Sequence, residues 1–118
     1  NSKVVWVAGF SFGAWVAMQL LMRRPEINNF ISVSPPANTR DFSFLAPCPS
    51  TGLIVHGDKD TITSFDSTKI LSEKLQKQKK VNIHFKSIKG ADHFYENFTD
   101  QFSSIIDNYI KDSLADLK

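Results

Sequence analysis

Cysteine is nearly missing from this chain: Cys48 is the only one. One thiol makes no internal disulfide and builds no metal centre by itself. Flanked by Pro47 and Pro49, it reads as a small buried hydrophobe, and neither a metal nor an organic cofactor is expected. An excess of either charge sign is also lacking. Fourteen Lys and Arg stand against twelve Asp and Glu, a net charge of +2, which gives no footing for nucleic acid or a membrane surface. No apolar run reaches the length needed to span a bilayer, and no secretory leader precedes the first predicted strand. A reducing, cytoplasmic setting is therefore expected. Repeats and low-complexity tracts are absent as well. There is no initiator Met, and the first strand begins almost at once, so the chain is expected to be a piece of a longer protein. Its 118 residues, 42% of them hydrophobic, suffice for one small domain with its own core, taken as residues 1–118.

What is there is organised around Val4 to Met22. Val4–Ala8 is a short apolar run with β-branched and aromatic members, the pattern of a strand buried on both faces. Gly9-Phe10-Ser11-Phe12-Gly13 follows and leads directly into Ala14–Met22, made largely of helix-forming residues. A strand, a tight Gly-x-Ser-x-Gly turn and a helix together form the setting of a nucleophile elbow. The turn would hold Ser11 at positive φ and lift its hydroxyl above the strand end. Gly9 and Gly13 are expected where a Cβ would collide with a neighbouring strand or helix. The helix itself is apolar almost all round, which predicts burial by more than one layer.

Further along, strands are predicted at Phe30–Ser34, Gly52–His56 and Val81–Ile88. Helices are predicted from Ser64 or Asp66 to Gln78, with Phe65, Ile70, Leu71 and Leu75 as core stripe, and from Asn97 or Thr99 to Leu114. Strands alternating with helices imply an α/β fold: a mostly parallel four-stranded sheet with flanking helices. The lysines at 74, 77, 79 and 80 read as a solvated face. Residues 37–51 form a long connection, too short for a large lid.

In open α/β sheets ligands bind beyond the carboxyl ends of the strands. Ser11 follows the first strand, Asp58 and Asp60 the third, and His93 the fourth. Ser, then acid, then His is the chain order of a serine triad on such a sheet. His56 is expected in a structural hydrogen bond, His84 as a partly exposed spectator, and Asp92 in solvent.

The turns GFSFG, LIVHGDKDTIT and IKGADHFY resemble the three signature turns of the α/β-hydrolase superfamily. The chain is similar to its small bacterial dienelactone-hydrolase-like members and matches the second half of their sheet, strands five to eight. The resemblance implies Ser11 as nucleophile, Asp60 as orienting acid, His93 as general base and the Phe12 amide as an oxyanion donor. Asp58 is the alternative acid, and Asp41 an outside candidate. A second oxyanion donor would come from an early strand not present here. The implied activity is hydrolysis of a carboxylic ester or thioester through an acyl-enzyme, on small or soluble acyl substrates. The alternatives are a non-catalytic binding module of the same fold, or a fragment inactive without its missing half. With its upstream neighbour absent, the Val4–Ala8 edge is expected to pair with a second copy or a complementing chain.

Overall fold

The computed structural model describes residues 4–45 and 47–115. The runs rich in β-branched and aromatic residues form strands β1 (Trp6–Phe10), β2 (Asn29–Val33), β3 (Thr51–Gly57) and β4 (Ile83–Ile88). Between and after them come α1 (Phe12–Arg23), α2 (Phe65–Gln76) and α3 (Thr99–Ala115), with one 3₁₀ turn at Ser43–Leu45. The sheet order is β1-β2-β3-β4, and each neighbouring pair is parallel. The predicted fold class is the observed one, an α/β fold with a parallel four-stranded sheet and flanking helices.

Side chains that alternate along the strands divide the core into two layers. Phe30, Ile54 and Ile83 face α1, α2 and the β2–β3 connection, where Met18, Leu21, Phe42, Leu45 and Leu75 close the layer. Ile31, Val33, Leu53, Val55 and Ile88 face the other way, toward Tyr109 and the inner side of α3. The β2–β3 connection is tied to α1 at Asp41, whose carbonyl accepts from Trp15 Nε1 at 3.0 Å. Ser64 caps α2, accepting from the Ser67 amide at 3.0 Å, as a hydroxyl at that position should.

Three expectations fail, for related reasons. β1 starts two residues later than Val4 and is not buried on both faces; Ala8 and Phe10 are exposed. It is an edge strand among the described residues, none of which pairs with its outer side. α1 buries Ala14, Ala17, Met18 and Leu21 but leaves Phe12, Val16, Leu20 and Met22 exposed. Its apolar circumference is thus covered on one side only. In α2, Ile70 points to solvent, and Thr68 and Ser72 take the buried positions beside Leu75. Residues 68, 72 and 75 lie on one helical face, which residue 70 does not share.

Candidate active site

The elbow is built by backbone. Ser11 links β1 to α1 with φ 56 and ψ −124, a strained combination for a non-glycine residue that costs about 1–3 kcal/mol. Its amide donates to the Val33 carbonyl at 2.8 Å, so the turn is pinned to β2 beneath it. Ser11 also holds the N-cap position of α1 yet makes no capping bond. A serine there ordinarily accepts from the first turn; this hydroxyl instead meets His93 Nε2 at 3.0 Å. Gly9 is required by packing, because a Cβ there would stand 2.2 Å from the Gly13 carbonyl oxygen. Gly13 corrects the expectation: a Cβ on it would meet nothing within 4 Å, because that side of α1's first turn is open. α1 opens at Phe12, so the Phe12 amide is among those with no intrahelical acceptor.

Facing the elbow, the turns after β3 and β4 bring Asp60 and His93 together. His93 Nδ1 lies 2.7 Å from Asp60 Oδ2, and both side chains are buried. Asp60 Oδ1 accepts the amides of Ile62 and Thr63, each at 2.8 Å. Oδ2 also accepts the Thr63 hydroxyl at 2.8 Å. Burial pushes the Asp60 carboxyl up, but the hydrogen bonds from Thr63, His93 and Ile62 outweigh it and hold the group below its ordinary range. An ionised carboxylate at Nδ1 requires the proton there, which leaves the Nε2 lone pair for the Ser11 hydroxyl. Phe10 and Phe94 wall the imidazole, with ring centroids 5.0 and 4.9 Å from it.

Of the candidate catalytic residues, Ser11, Asp60 and His93 converge, and the alternative acids do not. Asp58 turns away: its Oδ1 accepts the Gly90 amide at 2.7 Å, tying the β4 turn to the β3 turn. Asp41 is exposed and accepts the Ser43 amide at 2.8 Å. Asp92 accepts the Glu96 amide at 3.0 Å. His84 is exposed, set against the Tyr109 ring. His56 is fully buried and does hydrogen-bond, as expected, but its partners belong to the acid turn.

Three contributors escaped sequence reasoning. Thr63 sits among Asp60, His56 and His93. Ser34 and Tyr95 meet across the sheet end with their hydroxyls 2.8 Å apart, and Tyr95 donates to the Val55 carbonyl at 3.3 Å. Burial pushes the Tyr95 phenol up to about 12, so it stays a neutral tether two residues beyond His93. Ser34 and Tyr95 both adopt positive φ. The only sequence signal for Ser34 is its place at the end of the predicted strand Phe30–Ser34, one residue beyond the observed end of β2 at Val33.

No helix among the described residues is long and apolar enough to cross a membrane. The described residues also hold no cluster of three or more His, Cys, Asp or Glu placed to bind a metal ion.

Comparison with known proteins identifies the family and the fold. An uncharacterised protein of Rickettsia prowazekii is 52% identical over 114 residues, covering 93% of this chain and 48% of that protein. A putative α/β hydrolase of Agrobacterium tumefaciens superposes with a TM-score of 0.93 at 49% identity, over 97% of this chain and 52% of its own. An α/β serine hydrolase without a lid from Xanthomonas campestris gives a TM-score of 0.79 at 26% identity, over 92% and 47%. The chain thus spans about half the length of the proteins it matches. The family model for dienelactone hydrolases matches residues 1–116, and with the strand-end geometry above, the chain belongs to the dienelactone hydrolase family.

Proposed function

We propose that the protein of which this chain is part is a serine hydrolase of small carboxylic esters or thioesters, working through an acyl-enzyme. The observation that carries this is the unbroken relay of Ser11 Oγ, His93 and Asp60, at 3.0 and 2.7 Å, on the turns that follow β1, β4 and β3. Ser11 Oγ attacks the acyl carbon while its proton passes to His93 Nε2. The carbonyl electron pair moves onto oxygen, where the Phe12 amide and the positive end of α1 oppose the charge. Collapse of this intermediate expels an alkoxide or thiolate, which takes the proton from His93. Water then attacks the acyl carbon, giving a proton to His93, and the second intermediate releases the acid as His93 returns that proton to Ser11 Oγ. Asp60 holds the imidazole in its Nδ1–H form and stabilises the imidazolium. The β2–β3 connection is packed down on α1, which favours an open site and compact acyl groups. A cytoplasmic setting belongs to the proposal, since Cys48 is a buried free thiol whose acidity burial suppresses.

The proposal includes a partner. The outer edge of β1 is unpaired among the described residues, and the exposed side of α1 continues it. The part of the relatives that this chain does not match is the occupant we assign, with self-pairing as the competing outcome. Light scattering at micromolar concentration decides: a clean 13.3 kDa monomer with native helix content would remove the need for either.

The activity test is labelling by a fluorophosphonate, which reacts quickly only with an activated serine. It should be run on the full-length protein, with a p-nitrophenyl ester series of graded chain length. Labelling abolished by Ser11→Ala, with short esters preferred, is the expected result. A folded protein that does not label would instead favour the binding-module reading.

A further inference from the structure

A second histidine lies behind the acid and takes no part in the relay. His56, the penultimate residue of β3, has no solvent exposure. Its Nε2 is surrounded by oxygens: Asp60 Oδ2 at 3.1 Å, Thr63 Oγ1 at 3.2 Å and the Thr63 carbonyl at 3.3 Å. The Thr63 hydroxyl spends its one proton on Asp60, so it offers His56 only lone pairs. Three acceptors around one nitrogen require a proton on that nitrogen. The opposite nitrogen, Nδ1, is buried and has no hydrogen-bond partner among the described residues. Placing a proton there would orphan a buried N–H, at a cost of about 1–3 kcal/mol. Both the other neutral tautomer and the imidazolium are therefore disfavoured. The titratable groups facing the ring are Asp60 and His93, while Phe65 of α2 presents an aromatic edge.

We propose that His56 is a positioning residue: a permanently neutral imidazole whose Nε2–H braces the Asp60–Thr63 turn from beneath, so that the Asp60 carboxylate stays aimed at His93. This rests on the serine-hydrolase reading only for its effect on rate. Neutrality matters as much as the hydrogen bond. A cation at position 56 would neutralise Asp60 and repel the imidazolium that His93 becomes during turnover. Burial of the ring, with an unpartnered Nδ1, removes that competitor. Rotation of Asp60 off His93 would free His93 Nδ1–H and its tautomer together, so the brace acts on the base through the acid.

The test separates this role from the activity. In the ¹⁵N-labelled full-length protein, His56 should show a protonated Nε2 and a bare Nδ1, with no titration between about pH 5 and 8, where an ordinary imidazole titrates. The low-field proton on His93 Nδ1 should persist in His56→Gln, whose amide N–H can replace the donor. It should exchange at least about tenfold faster in His56→Phe, which keeps the volume and loses the bond. The fluorophosphonate labelling rate should follow the same order, falling about tenfold in His56→Phe and under threefold in His56→Gln. Titration of His56 in that range, a proton on its Nδ1, or an unchanged His93 signal in His56→Phe would overturn the proposal. Should His56→Phe fail to fold, the tautomer and the Gln variant still decide. A wild-type protein with the expected His56 and His93 signals but no labelling would sink the hydrolase reading and leave the brace standing.

Discussion

The acid–base side of the site and its nucleophile flank are finished to different degrees. Around Asp60 and His93, polar groups from β3 and from the turns after β3 and β4 form a closed network with almost no solvent contact. Around Ser11, the backbone is fixed just as firmly by its bond to Val33, but the surroundings are bare. Phe12 is 51% exposed and Val16 47%, and an open apolar hollow of about 540 Å³ lies beside β1, lined by Ala8, Phe10, Val33, Phe94 and Phe102. The contrast separates two requirements of such a site. Orientation of the base is supplied entirely within these residues, because hydrogen bonds between adjacent strand ends suffice for it. Shielding of the nucleophile needs a further layer beyond β1 and α1.

The sharpest break in the comparison comes from the relay itself. Ser11→Ala in the full-length protein should lower kcat by on the order of 10⁶, and Asp60→Asn by about 10⁴, by analogy with other serine triads. Asp58→Asn should leave kcat within about threefold, because it removes only a tether to Gly90 and no group touching His93. Steady-state kinetics on one ester decide it, and equal losses for the two aspartates would erase the distinction between them.

Packing gives the next largest effect. Met18→Ala removes a side chain that is 1% exposed and should cost about 2–5 kcal/mol. Leu20→Ala, two positions on and 42% exposed, should cost this chain alone under about 1 kcal/mol. Urea titration compares them; a large loss at Leu20 would mean that its face is already covered. Within the elbow, Gly9→Ala should cost about 1–3 kcal/mol through overpacking, whereas Gly13→Ala should be neutral or stabilising. Thermal melts rank the two.

The smallest effect is in pH dependence and belongs to the acid–base side. Burial lowers the His56 pKa below 6.5, so the fold prefers the neutral ring while the unfolded chain takes up a proton below about pH 6.5. This stability is therefore present above about pH 6.5 and is lost as pH falls, at no more than about 1.4 kcal/mol per unit. Asp60, also depressed, adds a contribution present above its unfolded value near 3.8 and lost as pH falls through its folded value. Replacing His56 by Gln should flatten the upper part of this fall, measured by urea midpoints from pH 7 to 5. An unchanged slope would mean that His56 does not resist protonation in the fold.

Much of this was legible in the chain. Alternating strands and helices, the Gly-x-Ser-x-Gly turn and the order of a serine, an acid and a histidine are set by local chemistry: side-chain periodicity, β-branching and the backbone demands of a tight turn. Those forces act between near neighbours, so they can be read from neighbouring letters, and the strand-end rule turns them into a site. The tertiary structure alone decided that Asp60 rather than Asp58 meets His93. Both acids lie in one turn, and a few ångströms of turn orientation separate a relay from a tether. It also brought Thr63 and the Ser34–Tyr95 pair to the site across distant parts of the chain, and it stripped the cover from half of α1. An apolar residue specifies only that it stabilises the fold when buried; whether Val16 and Leu20 are buried depends on what packs there, and in these residues nothing does.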